Sequence, residues 1–152
     1  MKSINNYISE KLVINKNTGK KYYKYFPETK DELIDIIRQR IKEEGNECDL
    51  NNINVSKITD MSYLFNESSF NGNISKWDVS NVEDMSVMFA SSKFNQDISE
   101  WNVSKVKYMS RMFYSSKFNQ NISKWDISNI EDMTYIFDDS PLEGKEKEWW
   151  NK

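Results

Sequence analysis

The hydrophobic residues of the chain recur with a period of 24 residues. The positions that share a phase are Trp77, Trp101 and Trp125, then Phe70, Phe94 and Phe118, then Met61, Met85, Met109 and Met133, and finally Phe65, Phe89, Phe113 and Phe137. One unit reads NGNISKWDVSNVEDMSVMFASSKF over residues 71–94, and similar units follow at 95–118 and 119–140. So regular a period predicts a repeat architecture, in which each unit buries its apolar side chains against its neighbours.

Each unit carries the apolar spacing of a leucine-rich repeat. In the unit at 71–94 the apolar positions are Ile74, Trp77, Val79 and Val82. This spacing matches the frame L-x-x-L-x-L-x-x-N, with Trp and Val in place of Leu. It predicts a short strand in which Trp77 and Val79 point inwards while Asp78 and Ser80 point outwards.

A helical turn is predicted after each strand. Ser80 and Glu83 have the spacing of a capping box, and one or two helical turns would place Met85, Met88 and Phe89 against the core. Stacked units would then pair their strands in parallel, at a spacing of about 4.8 Å. The predicted fold class is an α/β repeat: a short leucine-rich-repeat-like solenoid with parallel strands and an N-terminal β-hairpin plus helix cap.

The repeated string resembles one known family. WDVSNVEDMSVMF at residues 77–89 and its copies resemble the BspA-like leucine-rich-repeat surface proteins, described as a domain of unknown function common in bacteria such as mycoplasmas and spirochaetes. The resemblance covers residues from about 49 to 140, including the lead-in CDLNNINVSKITDMSYLF. It implies a solenoid used for protein contacts, often on the cell surface.

A helix is predicted before the repeats. In TKDELIDIIRQRIKEEG the apolar residues fall on one helical face. Thr29 and Glu32 form a capping box, and Gly45 is a natural terminator, so the helix should span about residues 30–44.

The ends of the stack are expected to be covered by caps. A hairpin is predicted from Leu12–Ile14 and Tyr22–Phe26, with its turn between them. The predicted division is an N-terminal cap of hairpin and helix at 1–48, four repeats at 49–140 and a C-terminal cap at 141–152.

Two tryptophans near the C-terminus have two interpretations. Trp149 falls in the slot of Trp125, and Trp150 follows it. Buried, they would cover the last repeat; exposed, they would anchor another protein, because tryptophan is enriched at binding hot spots.

Composition excludes several kinds of chemistry. The 152 residues contain 21 basic and 24 acidic side chains, for a net charge of −3, with no histidine and one cysteine. Histidine proton transfer, histidine-ligated zinc and an internal disulfide are therefore excluded. The sequence has no signal peptide and no membrane-length apolar stretch, which predicts a cytoplasmic protein that makes no membrane contact.

Catalysis and cofactors are not expected. Carboxylates recur at Asp60, Asp84 and Asp132, whereas a residue that a catalyst needs once should not be duplicated by the repeat. Calcium binding stays open for these carboxylates, although the frame of known calcium-binding repeats is missing. The prediction is a protein that is not an enzyme and holds no cofactor. Cys48, without a histidine to activate it, is expected to be a small buried hydrophobe.

The outward positions of the predicted strands form the candidate partner surface. One row holds Lys76, Glu100 and Lys124, and the next holds Asp78, Asn102 and Asp126. Glu100 is expected to pair with a lysine on either side. These rows either serve the structure alone or form a polar, nearly neutral docking surface for a protein of unknown identity.

A basic N-terminal segment offers a second candidate. Lys20, Lys21, Tyr23 and Lys24 interleave charge with aromatic rings, a combination that can hold single-stranded nucleic acid. The alternative is that half of these rings cover the core, because alternate residues of a strand face opposite sides.

The function predicted from these patterns is a non-enzymatic protein–protein interaction module. The alternative is a small inhibitor, encoded by a mobile element or phage, that occludes a host protein or a nucleoprotein complex. The oligomeric state stays open.

Overall fold

The computed structural model describes residues 23–150, with a helix near each end and a stack of turns between them. Helix α1 spans Lys30–Glu44 and helix α2 spans Lys145–Trp150. The prediction of a helix over residues 30–44 is confirmed. The Thr29 side chain accepts a hydrogen bond from the Glu32 backbone N–H, and Gly45 ends α1 with a φ of 87°.

The predicted leucine-rich-repeat-like solenoid with parallel strands is wrong. Residues 23–150 contain no β-sheet, and parallel pairing is reduced to isolated bridges. The bridged pairs are Tyr25 with Ile53, Asp60 with Asp84, Asp84 with Tyr108, and Tyr108 with Asp132. The hairpin predicted from Leu12–Ile14 and Tyr22–Phe26 lies outside the described residues, apart from residues 23–26.

Side chains that bind the backbone explain why the expected strands do not form. The Asn73 Oδ1 accepts a hydrogen bond from the Ser75 N–H at 3.0 Å, and the Asp78 Oδ1 accepts one from the Ser80 N–H at 3.1 Å. The Trp77 N–H donates to the Ile74 carbonyl within the same unit. These local turns occupy the N–H groups that a strand would offer to its neighbour.

The segment predicted to be helical instead carries the bonds between repeats. The N–H groups of Met85, Val87 and Phe89 donate to carbonyls of the next repeat at 2.8–2.9 Å, whereas the Met88 N–H donates back to the Met85 carbonyl. Val87, in the middle of this segment, takes a positive φ of 61°. Alternate N–H groups of the segment point to the next repeat. The predicted helical turns are therefore wrong, although Met85, Met88 and Phe89 are fully buried as expected.

Aromatic rings stacked one repeat above another form the core. The successive ring centroids of Phe65, Phe89, Phe113 and Phe137 lie 5.6, 5.6 and 5.9 Å apart. Trp101 stacks on Trp125 at 6.5 Å, and its indole N–H donates to the Ile74 carbonyl at 3.2 Å. Each stacked pair adds about 0.5–1.5 kcal/mol beyond the apolar area that it buries.

Helix α1 lies against the first repeat. The Arg40 Nη2 donates to the Asp49 carbonyl at 3.1 Å, and the Lys30 Nζ pairs with Asp60 at 3.0 Å. Cys48 is buried, as predicted, and burial raises the pKa of its thiol.

At the other end, Trp149 and Trp150 are half-buried on the last repeat. The Trp150 ring stacks on Phe137 at 5.8 Å, and Trp149 meets Phe137 edge-on at 6.0 Å. The cap boundaries at residues 48 and 140 stay predictions.

Candidate interaction surface

The six predicted partner-binding residues are all exposed. Their positions alternate with buried ones in every repeat, and the set is Lys76, Asp78, Glu100, Asn102, Lys124 and Asp126. Trp101 and Val103, which flank Asn102, are buried. The expected alternation of buried and exposed residues is therefore present, although the backbone that produces it is a series of turns.

The aspartate and asparagine members of this set, Asp78, Asn102 and Asp126, support the local backbone. The Asn102 Oδ1 accepts hydrogen bonds from the Ser104 N–H and Oγ at 3.1 and 2.7 Å. The Asp126 Oδ1 likewise accepts one from the Ser128 N–H at 3.0 Å. These side chains hold turns in place, which is the structural alternative anticipated for this row.

Glu100 is the member of the set that is predicted to pair with a lysine on either side. No ion pair joins Glu100 to Lys124 among the ion pairs of residues 23–150. Lys124 instead borders a shallow groove of about 260 Å³ with Asp97 and Gln120. A hydrogen bond from the Ser99 backbone holds the pKa of Asp97 below its ordinary value.

A second surface was missed by the sequence patterns. We call it the turn face and define it as residues 59–67, 83–91, 107–115 and 131–139. Backbone hydrogen bonds join its four segments; for example, the Tyr63 N–H donates to the Ser86 carbonyl at 3.0 Å and the Arg111 N–H donates to the Thr134 carbonyl at 2.9 Å. The segments therefore lie side by side.

The turn face exposes aromatic rings. Tyr63 is 61% exposed, Tyr108 40% and Tyr135 56%, and these are the exposed large hydrophobic residues of the described part of the chain. Their exposure contrasts with the buried rings of the core, so packing of the stack does not account for them.

The turn face also holds most of the net negative charge of the repeats. Its four segments contain eight carboxylates and two cationic side chains. The remaining repeat segments, residues 68–82, 92–106 and 116–130, contain four carboxylates and five lysines. Summed over the four segments the turn face is thus acidic, although both of its cations, Lys107 and Arg111, lie in the segment 107–115, which has no carboxylate. The remaining repeat segments are nearly neutral.

The last two repeats form a groove on the turn face. The Arg111 guanidinium lies 5.3 Å from the centre of the Tyr135 ring. The groove has a volume of about 290 Å³, and its lining consists of Arg111, Tyr114, Tyr135, Asp138, Asp139 and Glu143. A hydrogen bond to Asp139 raises the pKa of Tyr114. The groove therefore combines two phenol rings with three carboxylates around one guanidinium.

Neighbouring groups on the turn face are paired. The Tyr108 hydroxyl donates to the Glu131 Oε2 at 3.2 Å, which raises the pKa of Tyr108. The Lys107 Nζ pairs with the Glu83 Oε2 at 2.9 Å; this bond raises the pKa of Lys107 and lowers that of Glu83.

One signal in the sequence does mark this surface. The slot of Tyr63 holds Val87, Arg111 and Tyr135 in the later units, whereas the slot two residues earlier is always Met and the slot two residues later is always Phe. Where the residue type varies while the neighbouring positions are constant, packing between repeats does not determine which residue stands there. Because these segments are predicted to be helical turns, the sequence alone does not place their variable side chains on one surface.

The predicted nucleic-acid arm is only partly described. Lys20 and Lys21 lie outside the described residues. The Tyr23 ring meets Phe26 edge-on at 6.3 Å, and the Lys24 Nζ lies 5.3 Å from the centre of the Tyr25 ring. Tyr25 itself is buried, so this ring covers the core, in line with the structural alternative.

Residues 23–150 contain neither a metal-binding cluster nor a membrane-spanning helix. Within that range, no group of three or more Cys, Asp or Glu side chains is placed to hold a metal ion. Neither α1 nor α2 is long and apolar enough to cross a membrane.

Comparison with known proteins gives one match. A family model described as "Mycoplasma protein of unknown function, DUF285" matches residues 36–150, which is more than half of the chain. No curated protein and no solved structure matches the chain. The matched range contains residues 36–44 of α1, all the repeats and α2. The chain therefore belongs to the DUF285 family of proteins of unknown function.

Proposed function

We propose that this chain is a non-enzymatic protein-binding module whose main contact surface is the turn face. The observation that carries the proposal is the pattern of exposed residues there: Tyr63, Tyr108, Arg111 and Tyr135 are exposed, whereas the phenylalanine two residues after the Tyr63 slot is constant and buried in every unit. Tyrosine and arginine are enriched in protein interfaces, and they dominate binding hot spots.

The six predicted residues form the second candidate surface. Asn102 and Asp126 already serve local turns, so they have less to offer a partner. Lys76, Glu100 and Lys124 remain exposed, and exposed charges of this kind contribute little affinity by themselves. The aromatic turn face is therefore the stronger candidate, and the role of the six residues stays a prediction.

Kinship with the BspA-like repeat surface proteins is part of this proposal. It is supported by the tryptophan-containing string of residues 77–89 and its copies. The kinship favours protein contacts at a cell surface, and the cytoplasm is the alternative location. Fractionation of cells that produce the chain, followed by protease treatment of intact cells, distinguishes the two locations.

The proposal is tested by cross-linking capture with two matched variants of the full chain. The first carries Tyr63→Ser and Tyr135→Ser on the turn face, and the second carries Lys76→Ala, Glu100→Ala and Lys124→Ala. We expect the unmodified chain to capture a protein saturably in the cells that produce it. The first variant, without the two tyrosines, should lose that protein, and the second variant should still capture it.

Two other outcomes are informative. Loss of the captured protein only in the Lys76, Glu100 and Lys124 variant would transfer the contact to the predicted rows. Absence of any saturable capture by the unmodified chain would contradict a protein-binding function. Thermal unfolding of each variant, followed by circular dichroism, verifies that the stack is intact.

A further inference from the structure

The chemistry of the turn face indicates what kind of partner it accepts. We propose that the turn face binds a lysine- and arginine-rich segment of a partner protein, with the groove between the last two repeats as its main contact. This inference rests on the proposed protein-binding function and adds the chemical class of the partner.

Charge is the first argument. The turn face has six more carboxylates than cations, whereas the rest of the repeats has one more lysine than carboxylates. Such an uneven distribution attracts a cationic partner to one side of the molecule and speeds its association. A neutral or acidic segment would gain nothing from this surface.

The structure of the groove is the second argument. Arg111 over the Tyr135 ring, at 5.3 Å, is an example within this chain of a cation held against a turn-face tyrosine. Tyr63 presents a ring in the same slot of the first repeat, where it is 61% exposed. The cationic group of a partner's lysine or arginine can pack against the face of such a ring in the same way.

The placement of the carboxylates is the third argument. Asp138, Asp139 and Glu143 border the groove, and Arg111 is the cationic residue of its lining. The groove therefore keeps an excess of negative charge after Arg111 is counted. Its volume, about 290 Å³, suits one long side chain rather than a folded element.

The experiment measures binding of synthetic peptides to the full chain by fluorescence anisotropy. The probe is a labelled peptide of alternating lysine and serine, and the comparison peptides replace lysine with glutamine or with glutamate. We expect the lysine peptide alone to bind, and its affinity to fall as salt rises from about 0.05 to about 0.5 M because the charges are exposed.

Two variants with the same change in net charge locate the site. The groove variant carries Asp138→Asn, Asp139→Asn and Glu143→Gln, and the control variant carries Asp97→Asn, Glu100→Gln and Asp126→Asn. Three lost rim charge pairs should weaken binding about tenfold in the groove variant. The control variant should change the affinity less than about twofold, since its charges lie on the other side of each unit. Asparagine keeps the Oδ1 acceptor and tolerates the positive φ of Asp139, so the turns are preserved.

Several outcomes overturn the inference. Equal loss in the groove and control variants would show an effect of net charge alone. Binding of the glutamine peptide as tightly as the lysine peptide would remove the cationic requirement. A tenfold gain in peptide affinity after Lys2, Lys11, Lys16, Lys20 and Lys21 are changed to Gln in the full chain would identify the chain's own lysines as the occupant instead.

Competition separates this inference from the proposed function. A protein captured through Tyr63 and Tyr135 should be displaced by the lysine peptide. Capture that depends on these tyrosines but resists the peptide would leave the binding function intact and refute the cationic partner. Absence of any captured protein, with the peptide still bound at the groove, would refute the function alone.

Discussion

Replacing Trp101 with phenylalanine removes one bond between repeats while keeping an aromatic ring in the core. The Trp101 indole N–H donates to the Ile74 carbonyl at 3.2 Å, and Trp125 makes the same bond to the Ile98 carbonyl at 3.2 Å. These bonds join residues 27 positions apart, so each ties one repeat to the preceding one. The substitution Trp101→Phe therefore measures how much this link stabilises the stack.

The magnitude follows from the partners that remain. The Ile74 carbonyl also accepts the Trp77 backbone N–H at 3.1 Å, so it is not left without a donor. The lost bond then costs about 0.5–1.5 kcal/mol of unfolding free energy. The missing second ring leaves a gap beside Trp125 that costs about 1 kcal/mol more. We expect a total loss of about 2 kcal/mol.

Trp150→Phe is the matched control, because it makes the same chemical change without removing a hydrogen bond. The Trp150 Nε1 is buried, and no acceptor for it exists among the described residues. Its ring stacks on Phe137 at 5.8 Å, and phenylalanine can keep that contact. We expect a loss below about 1 kcal/mol, since removal of an unpaired buried donor offsets part of the lost ring area.

Urea unfolding of the full chain, followed by circular dichroism, measures both losses. A difference of about 1 kcal/mol corresponds to about 2–4 °C in Tm for a chain of this size. Equal losses for Trp101→Phe and Trp150→Phe, or a larger loss for Trp150→Phe, would refute the argument that the indole N–H bond links the repeats.

Three further predictions concern local features. Gly72→Ala should destabilise the fold by about 1–3 kcal/mol in urea unfolding, because a Cβ there would lie 2.0 Å from the Cys48 carbonyl oxygen. Thr29→Ala should cost about 1 kcal/mol through loss of the α1 cap, and Thr29→Ser should restore it; equal stability of both variants would contradict the capping role. Burial tends to raise the pKa of Asp60, but hydrogen bonds from Ser62 and the Lys30 ammonium outweigh it and hold the pKa below 3.8. Asp60 therefore stabilises the fold above about pH 3.8 and loses this effect as the pH falls through its folded pKa. The stabilities of the wild type and Asp60→Asn should differ at pH 7, and the difference should shrink as the pH falls below 3.8.

Much of the core could be predicted from the sequence alone. The period placed Phe89 and Phe113 in one column, and the capping box and Gly45 gave the bounds of α1. These features depend on apolar spacing and on capping side chains, which act over a few residues or repeat identically in every unit. Such signals are visible in the sequence before any contact is known.

The backbone conformation and the turn face could not be predicted in the same way. Apolar spacing does not distinguish a strand from a row of turns, and here the Asn73 and Asp78 side chains decide in favour of turns. Val87 and Arg111 adopt a left-handed conformation that is unfavourable for their residue types, and the backbone hydrogen bonds between repeats help to offset its cost. Tyr63 and Tyr135 share that conformation, which apolar spacing does not reveal.

The similar geometry of successive contacts has a consequence for how genes of this kind can change in length. Phe89 meets Phe113 as Phe65 meets Phe89, with the same 5.6 Å separation, so the contact surfaces of these successive units are nearly interchangeable. Duplication or deletion of 24 codons would therefore join surfaces that already match. An insertion of 23 or 25 codons would shift the phenylalanines out of their columns, so viable length variants should differ by whole units.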